Sequence, residues 1–239
     1  IWREILEDTL AGELRPVYGA DHRWAEQLPS VVINPPSSTD LARYGAPVLG
    51  LYPVRGCPYQ CNFCSVIKIS GRQVRSPDIE STLESLRRAK RGGVKIIKFV
   101  SDNFNKFPQV RELLQAMIDE NIDLPFYCQC DSQIAKDPEL VELLGRAHCY
   151  EMFVGVESFN RKTLKAAGKY HNHPDHYSEI IWLCNEAGIR PHFSNIIGFP
   201  EDDEDEIRHH LDVLKMLRPR IASFYILTPI PGTEQYDDF

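Results

Sequence analysis

Ile79–Ser101 reads IESTLESLRRAKRGGVKIIKFVS, and its two halves follow different patterns. Ile79, Leu83, Leu86 and Ala89 fall on one face of a helix, which Gly92–Gly93 closes. Val94–Ser101 then reads as a buried strand. The same alternation continues in both directions. Upstream, Val48–Val54 is a short apolar run suited to a strand. Downstream, Val110, Leu113, Leu114, Met117 and Ile118 mark a helix, and Leu124–Cys130 a strand. Asp137-Pro138 supplies the N-cap and first position of a helix carrying Leu140, Val141, Leu143 and Leu144. Tyr150–Val156, Ile189–Ile197 and Ile221–Leu227 are further strands. Between them lie a helix with Ile180, Ile181, Leu183 and Cys184, closed by Gly188, and one with Ile207, Leu211, Leu214 and Leu217, stopped by Pro219. Strands thus begin near residues 48, 94, 124, 150, 189 and 221, most of them about 30 residues apart, the length of a βαβ unit. The chain is of α/β class with a parallel sheet, twisted open or curled towards a barrel. Either form puts reactive side chains at the C-terminal ends of the strands.

Composition narrows the partners. Lys+Arg 27 against Asp+Glu 34 gives a net charge of −7 over 239 residues, which argues against a nucleic-acid binder. A hydrophobic fraction of 43% with 26% charged is that of a globular chain, and no run approaches a transmembrane segment. The seven cysteines are an odd number in a chain able to build its own core, so a reducing, cytoplasmic compartment is expected rather than a disulfide framework.

Three of those cysteines share one loop after the first strand, Arg55-Gly56-Cys57-Pro58-Tyr59-Gln60-Cys61-Asn62-Phe63-Cys64. The spacing is C-x3-C-x2-C. Thiolates are the natural ligands of iron–sulfur clusters, and short spacers let one loop wrap three corners of a cubane. A structural zinc site would want four protein ligands, and no fourth Cys or His follows nearby. Three ligands leave one iron open, which is a catalytic arrangement. Gly56 and Pro58 suit the turns of such a loop.

Cys57, Cys61 and Cys64, with Phe63 just before the last, resemble the signature of the radical S-adenosylmethionine (SAM) superfamily. The resemblance implies a (β/α)6 partial TIM barrel, a [4Fe-4S] cluster on the three thiolates, and SAM chelating the open iron. Other strand ends carry similar elements. Ser101-Asp102-Asn103-Phe104 resembles the element for the SAM amino group, which assigns Asp102 and Asn103 to it. Gly155-Val156-Glu157-Ser158 looks like the segment near the SAM ribose and carboxylate, implicating Glu157 and Ser158. Ser194-Asn195-Ile196-Ile197-Gly198-Phe199-Pro200-Glu201 is similar to an adenine-side element, implicating Ser194, Ile196, Gly198 and Glu201. Thr228–Thr233 resembles the turn after the sixth strand. The implied chemistry is one-electron cleavage of SAM to methionine and a 5′-deoxyadenosyl radical, fed by a flavodoxin or ferredoxin and acting on a small-molecule or lipid-like substrate.

The flanks resemble the cobalamin-associated class of that family. Trp2–Tyr18 looks like the segment that joins an upstream cobalamin-binding domain to the core. Residues 1–45 are therefore expected to be a linker and helical segment following such a domain, and 46–239 the radical SAM core. An Asp-x-His-x-x-Gly motif does not occur, and Asp21-His22 does not continue into one. The expected activity is cobalamin-dependent methylation of an unactivated carbon. The alternatives are radical cyclisation or rearrangement in lipid, tetrapyrrole or antibiotic pathways, or an iron–sulfur electron-transfer module without SAM. Methylthiolation would need a second cluster on three upstream cysteines, and residues 1–56 contain none. Cys128, Cys130, Cys149 and Cys184 are expected to be packing residues, and His171, His173 and His176 to lie in a solvated loop. Lys68, Arg72 and Arg75 face either the SAM carboxylate, an acidic donor protein or solvent. Gln129 and Asp131 point near the expected cleft.

Overall fold

A computed structural model describes residues 2–18 and 27–238. Asp21 and His22 lie outside the described residues. In chain order the elements are α1 (Trp2–Ala11), α2 (Ser38–Leu41), β1 (Val48–Leu51), α3 (Val66–Ile69), α4 (Ile79–Arg91), β2 (Ile96–Phe99), α5 (Val110–Asp119), β3 (Phe126–Asp131), α6 (Pro138–Arg146), β4 (Cys149–Glu157), α7 (Arg161–Ala166), α8 (Tyr177–Glu186), β5 (Arg190–Ile197), α9 (Glu204–Leu217) and β6 (Ile221–Ile226). All neighbouring strand pairs are parallel, and the sheet order is β1-β2-β3-β4-β5-β6. Strand order equals chain order, so every C-terminal strand end faces the same mouth. Among the described residues the sheet remains open between β1 and β6, the partial-barrel form of the α/β expectation.

Local chemistry places the elements. Asp78 caps α4, its carboxylate accepting from the Ser81 N–H, and Asp137 does the same for α6 through Leu140, with Pro138 in the first turn. Leu83, Leu86 and Ala89 turn inward from α4, and Val110, Leu113, Leu114 and Met117 from α5. They pack on Ile97, Phe99, Phe126 and Val154 of the sheet, all fully buried. Burial of such side chains contributes roughly 1.5–3 kcal/mol each. The last repeat is thinner. On α9 Leu214 is buried but Leu211 is 36% exposed, and on β6 Phe224, Tyr225 and Ile226 are all exposed. No described helix is long and apolar enough to cross a membrane.

Candidate active site

The cysteine loop is stitched to the mouth on both sides. An antiparallel bridge pairs Arg55 with Arg75, through N–H···O contacts of 2.9 and 2.8 Å. The Cys57 N–H reaches the Gly71 carbonyl at 3.2 Å, and Arg72 Nη2 donates to the Pro58 carbonyl at 3.0 Å. Arg75 is buried and donates to the Ser70 carbonyl, so two of the three basic residues after the loop brace its backbone, while Lys68 is exposed. Gly56 has φ +95°, and a Cβ there would lie 2.1 Å from the Gln73 carbonyl oxygen. Only glycine fits this turn. On the far side the Asn62 N–H and amide donate to the carbonyls of Ala167 and Ala166, anchoring the loop on the end of α7.

Held there, Cys57, Cys61 and Cys64 line one cleft of about 210 Å³ with Tyr59, Phe63, Asp102, Asn103, Gln129, Cys130, Asp131, Phe153, Gly155, Glu157, Lys169 and His171. Asp102 accepts the Gly56 N–H at 2.6 Å, which ties the strand-end acid to the root of the loop. Asn103 is buried, with its amide on Asp131 Oδ2 at 2.7 Å and 3.9 Å from Cys57 Sγ. Glu157 sits at an irregularity in the β4–β5 register with φ +62°, a left-handed conformation that costs a non-glycine residue about 1–2 kcal/mol. The turn brings its carboxylate to the Lys169 ammonium at 2.6 Å and to Ser194 Oγ at 3.2 Å.

Electrostatics follow from burial. The Cys61 thiol is pushed up to about 12, chiefly by burial, with Cys64, Cys57 and Glu157 adding to the rise against the pull of Lys169. Cys57 is raised by burial too, in spite of hydrogen bonds from the Tyr59 backbone and Asn103. Burial would lower Lys169, but Glu157, Cys61 and Cys64 outweigh it and hold the ammonium above its ordinary value. Cys57 and Cys61, both raised by burial, share the cleft with Cys64 and the buried Lys169 ammonium, a donor set that a cluster would complete. Among the described residues no three His, Cys, Asp or Glu side chains are gathered as around one metal ion.

The remaining sequence candidates divide. Ser194 stands behind Glu157, as its hydroxyl donor. Ser158 is buried, and its Oγ accepts the Asn160 N–H in an adjacent hollow. Ile196 lies near the end of β5, and Gly198 follows the strand, its N–H held by Asp202. Glu201 lines a separate hollow of about 240 Å³ with Asn62, Ala166, Ala167, Phe199, Pro200 and Gln235. Asn62 Oδ1 and Gln235 Oε1, on two residues that line this hollow, are buried without a hydrogen-bond partner among the described residues. Phe63 of the cysteine cleft meets Phe199 of this hollow edge-on, with ring centroids 5.8 Å apart.

Lys169, Cys130, Tyr59 and Phe153 line the cleft although the sequence did not single them out for it, and His171 lies elsewhere than expected. Lys169 follows no periodic pattern, and nothing in its neighbourhood distinguishes it from Lys162 or Lys165. Cys130 is buried in the core as expected, yet it also lines the cleft. His171 is not a solvated loop residue: its ring stacks on Tyr59 at 3.4 Å and faces the cleft, and burial drops it to about 3, a neutral imidazole. His176 is exposed, as expected, and His173 half-buried. Cys128 meets Cys149 in the core, sulfur to sulfur at 3.8 Å, and Cys184 is buried. Gln129 and Asp131 both reach the cleft.

The profile of the radical SAM superfamily matches residues 51–214, spanning this loop and the four strands β2 to β5. The chain belongs to the radical SAM superfamily. Membership implies a [4Fe-4S] cluster and SAM as its cofactors. Among curated proteins it is 26% identical, over its whole length and 53% of the relative's, to the bacteriochlorophyllide d C-12(1)-methyltransferase of Chlorobaculum tepidum. It is 28% identical to the hopanoid C-2 methylase of Rhodopseudomonas palustris over 76% of this chain and 36% of that one. This radical SAM chain therefore spans about half, or less, of the length of those relatives. Among solved structures, the radical SAM methyltransferase TsrM from Kitasatospora setae superposes with a TM-score of 0.74 at 20% identity, covering 82% of this chain and 39% of that one. That likeness is one of fold.

Proposed function

We propose that this chain is the catalytic core of a cobalamin-dependent radical SAM C-methyltransferase acting on an unactivated carbon of a small or lipid-like molecule. One observation carries the reading: three thiols from a single loop share a cleft with Asn103, Glu157 and the buried Lys169 at the C-terminal ends of a parallel sheet. Cys57, Cys61 and Cys64 would hold the [4Fe-4S] cluster. Asp102, Asn103, Glu157 and Ser158 are the strand-end groups assigned to the methionyl and ribose side of SAM. Phe63, Ser194, Ile196, Gly198 and Glu201 are assigned to the adenosyl side. Bound together, cluster and SAM supply one-electron cleavage of the sulfonium to a carbon-centred radical. The protein's own part is to brace the loop through Gly56, Arg72 and Arg75, to keep a cation beside Cys61 and Cys64, and to wall the cleft with Phe63, Phe153 and Tyr59 against water. Methylation is favoured over cyclisation or rearrangement because both relatives quoted above are named as C-methylating enzymes. Cobalamin would be held mainly by a domain ahead of residues 1–45, with residues 46–239 as the core. A flavodoxin- or ferredoxin-type donor and a reducing, cytoplasmic setting complete the reading.

The test is anaerobic reconstitution with iron and sulfide, then dithionite and SAM with and without methylcobalamin, reading 5′-deoxyadenosine, S-adenosylhomocysteine and the EPR signal of the reduced cluster. Cluster formation, a SAM-induced change in that signal and SAM turnover are expected. A chain that forms the cluster but shows neither a SAM-induced signal change nor either product refutes the enzyme reading.

A further inference from the structure

Asn103 does more in this structure than line a cleft. Its Nδ2 donates to Asp131 Oδ2 at 2.7 Å, while its Oδ1 accepts the Asp131 backbone N–H at 3.3 Å. This two-point clamp fixes the roll of the amide, because the backbone N–H demands the oxygen on its side. The second hydrogen of Nδ2 then faces Cys57 Sγ, 3.9 Å away, where the Tyr59 backbone is also a donor. Both amide hydrogens are thereby engaged within the protein, so the part of Asn103 that would serve the SAM amino group is a lone pair of Oδ1. Asp131 is anchored in turn: Asn105 Nδ2 and the Gln133 N–H donate to its Oδ1 at 3.1 and 2.7 Å, and the Lys106 ammonium lies 3.5 Å from Oδ2. Burial pushes the Asp131 carboxyl up, but Lys106, Asn103, Asn105 and Gln133 outweigh it and keep it ionised. Cys57 is thus flanked by a fixed donor and, one bond further out, a fixed negative charge. Asn103 is 3% exposed and Asp131 6%, so solvent screens neither strongly.

We propose that Asn103 and Asp131 form a device that sets the reduction potential of the cluster through Cys57, with Asn103 raising the potential and Asp131 lowering it. The inference rests on the cluster assignment given above. Reduction of [4Fe-4S]2+ to [4Fe-4S]+ takes one electron from an external low-potential donor and adds one negative charge to the cluster and its thiolates. A donor on a ligand sulfur stabilises that added charge, and a nearby carboxylate opposes it. The two residues therefore act with opposite sign on the same sulfur, and their mutual clamp holds the balance constant.

The test uses the whole chain, reconstituted anaerobically as wild type, Asn103→Leu, Asn103→Ser and Asp131→Asn. Iron and sulfide content is measured first, and one-electron reduction is then followed by EPR in a dithionite titration. Asn103→Leu is expected to lower the reduction constant about tenfold, ~59 mV for one electron, and Asp131→Asn to raise it by a similar factor. Asn103→Ser withdraws the donor without setting an apolar group beside Asp131, and should follow Asn103→Leu in direction. Variants that hold a full cluster at the wild-type potential, or that all shift it the same way, overturn the inference. A wild-type chain that takes up no cluster overturns the cluster assignment itself, and this inference with it.

Discussion

The Lys169 ammonium and the Glu157 carboxylate lie 2.6 Å apart with side chains 9% and 8% exposed, so the cleft is built on an ion pair largely withdrawn from water. Removing one partner of such a pair strands a charge, at about 3–5 kcal/mol, whereas removing both is far cheaper. Lys169→Met is therefore expected to lower unfolding free energy by about 3–5 kcal/mol. The double variant Lys169→Met/Glu157→Gln should recover more than half of that loss. Urea denaturation of wild type, both single variants and the double variant checks it, and additive losses would show that the two groups do not interact.

Gly56→Ala adds a methyl 2.1 Å from a backbone oxygen at a residue whose φ is +95°. The Gln73 carbonyl lies two residues before Arg75, whose bridge to Arg55 holds the two segments together. We expect a loss of at least about 2 kcal/mol and a large drop in iron uptake. Gly12→Ala, at φ +73° with nothing within 4 Å, is the comparison, because it carries the backbone strain without the collision. Its cost should stay near 1–2 kcal/mol. Equal effects of the two substitutions would remove the packing explanation.

Each of Cys57→Ser, Cys61→Ser and Cys64→Ser should abolish stable cluster formation. Cys128→Ser and Cys184→Ser should leave iron content intact while destabilising the core. Iron and sulfide analysis after reconstitution separates the two groups. Full iron content in any of the first three would remove that residue from the ligand set.

His210 gives a pH signature away from the cysteines. It is 8% exposed, its Nε2 lies 2.9 Å from Asn195 Oδ1, and its ring packs edge-on against Phe159. Burial drops it to about 4, with His209 adding to the fall while Asp202 and Glu206 oppose it. The unfolded chain would bind its proton near pH 6.5 and the folded chain only near 4, so the unfolded state holds more protons in between. Stability contributed by neutral His210 is thus complete above pH 6.5 and is lost as pH falls towards 4, by about 2 kcal/mol at pH 5. Urea midpoints at pH 7 and 5 for wild type and His210→Gln should differ in their pH slope by this amount. Parallel slopes would refute it.

The architecture was legible because each strand is a compact apolar run bounded by Gly, Pro or capping Asp, and these signals act locally. Asp78 and Asp137 are examples, and the strand starts near 94 and 124 lie within two residues of Ile96 and Phe126. The cysteine loop was legible for the same reason: its spacing lies within eight residues. Lys169 and the stacked His171 were not, because their roles arise from the way the end of α7 folds back against the loop through Asn62. That contact joins residues about a hundred positions apart, and no periodicity announces it. Thinning of the last repeat also escaped the pattern, since Leu211 has helical spacing but meets no complete layer.

Because strand order follows chain order without a permutation, position along this polypeptide is also angle around the mouth. Each crossover segment thus governs its own sector of the cleft. The sector after β1 carries the three thiols, that after β2 Asp102 and Asn103, and that after β4 Lys169, so a change confined to one crossover reaches one group of cleft residues at a time.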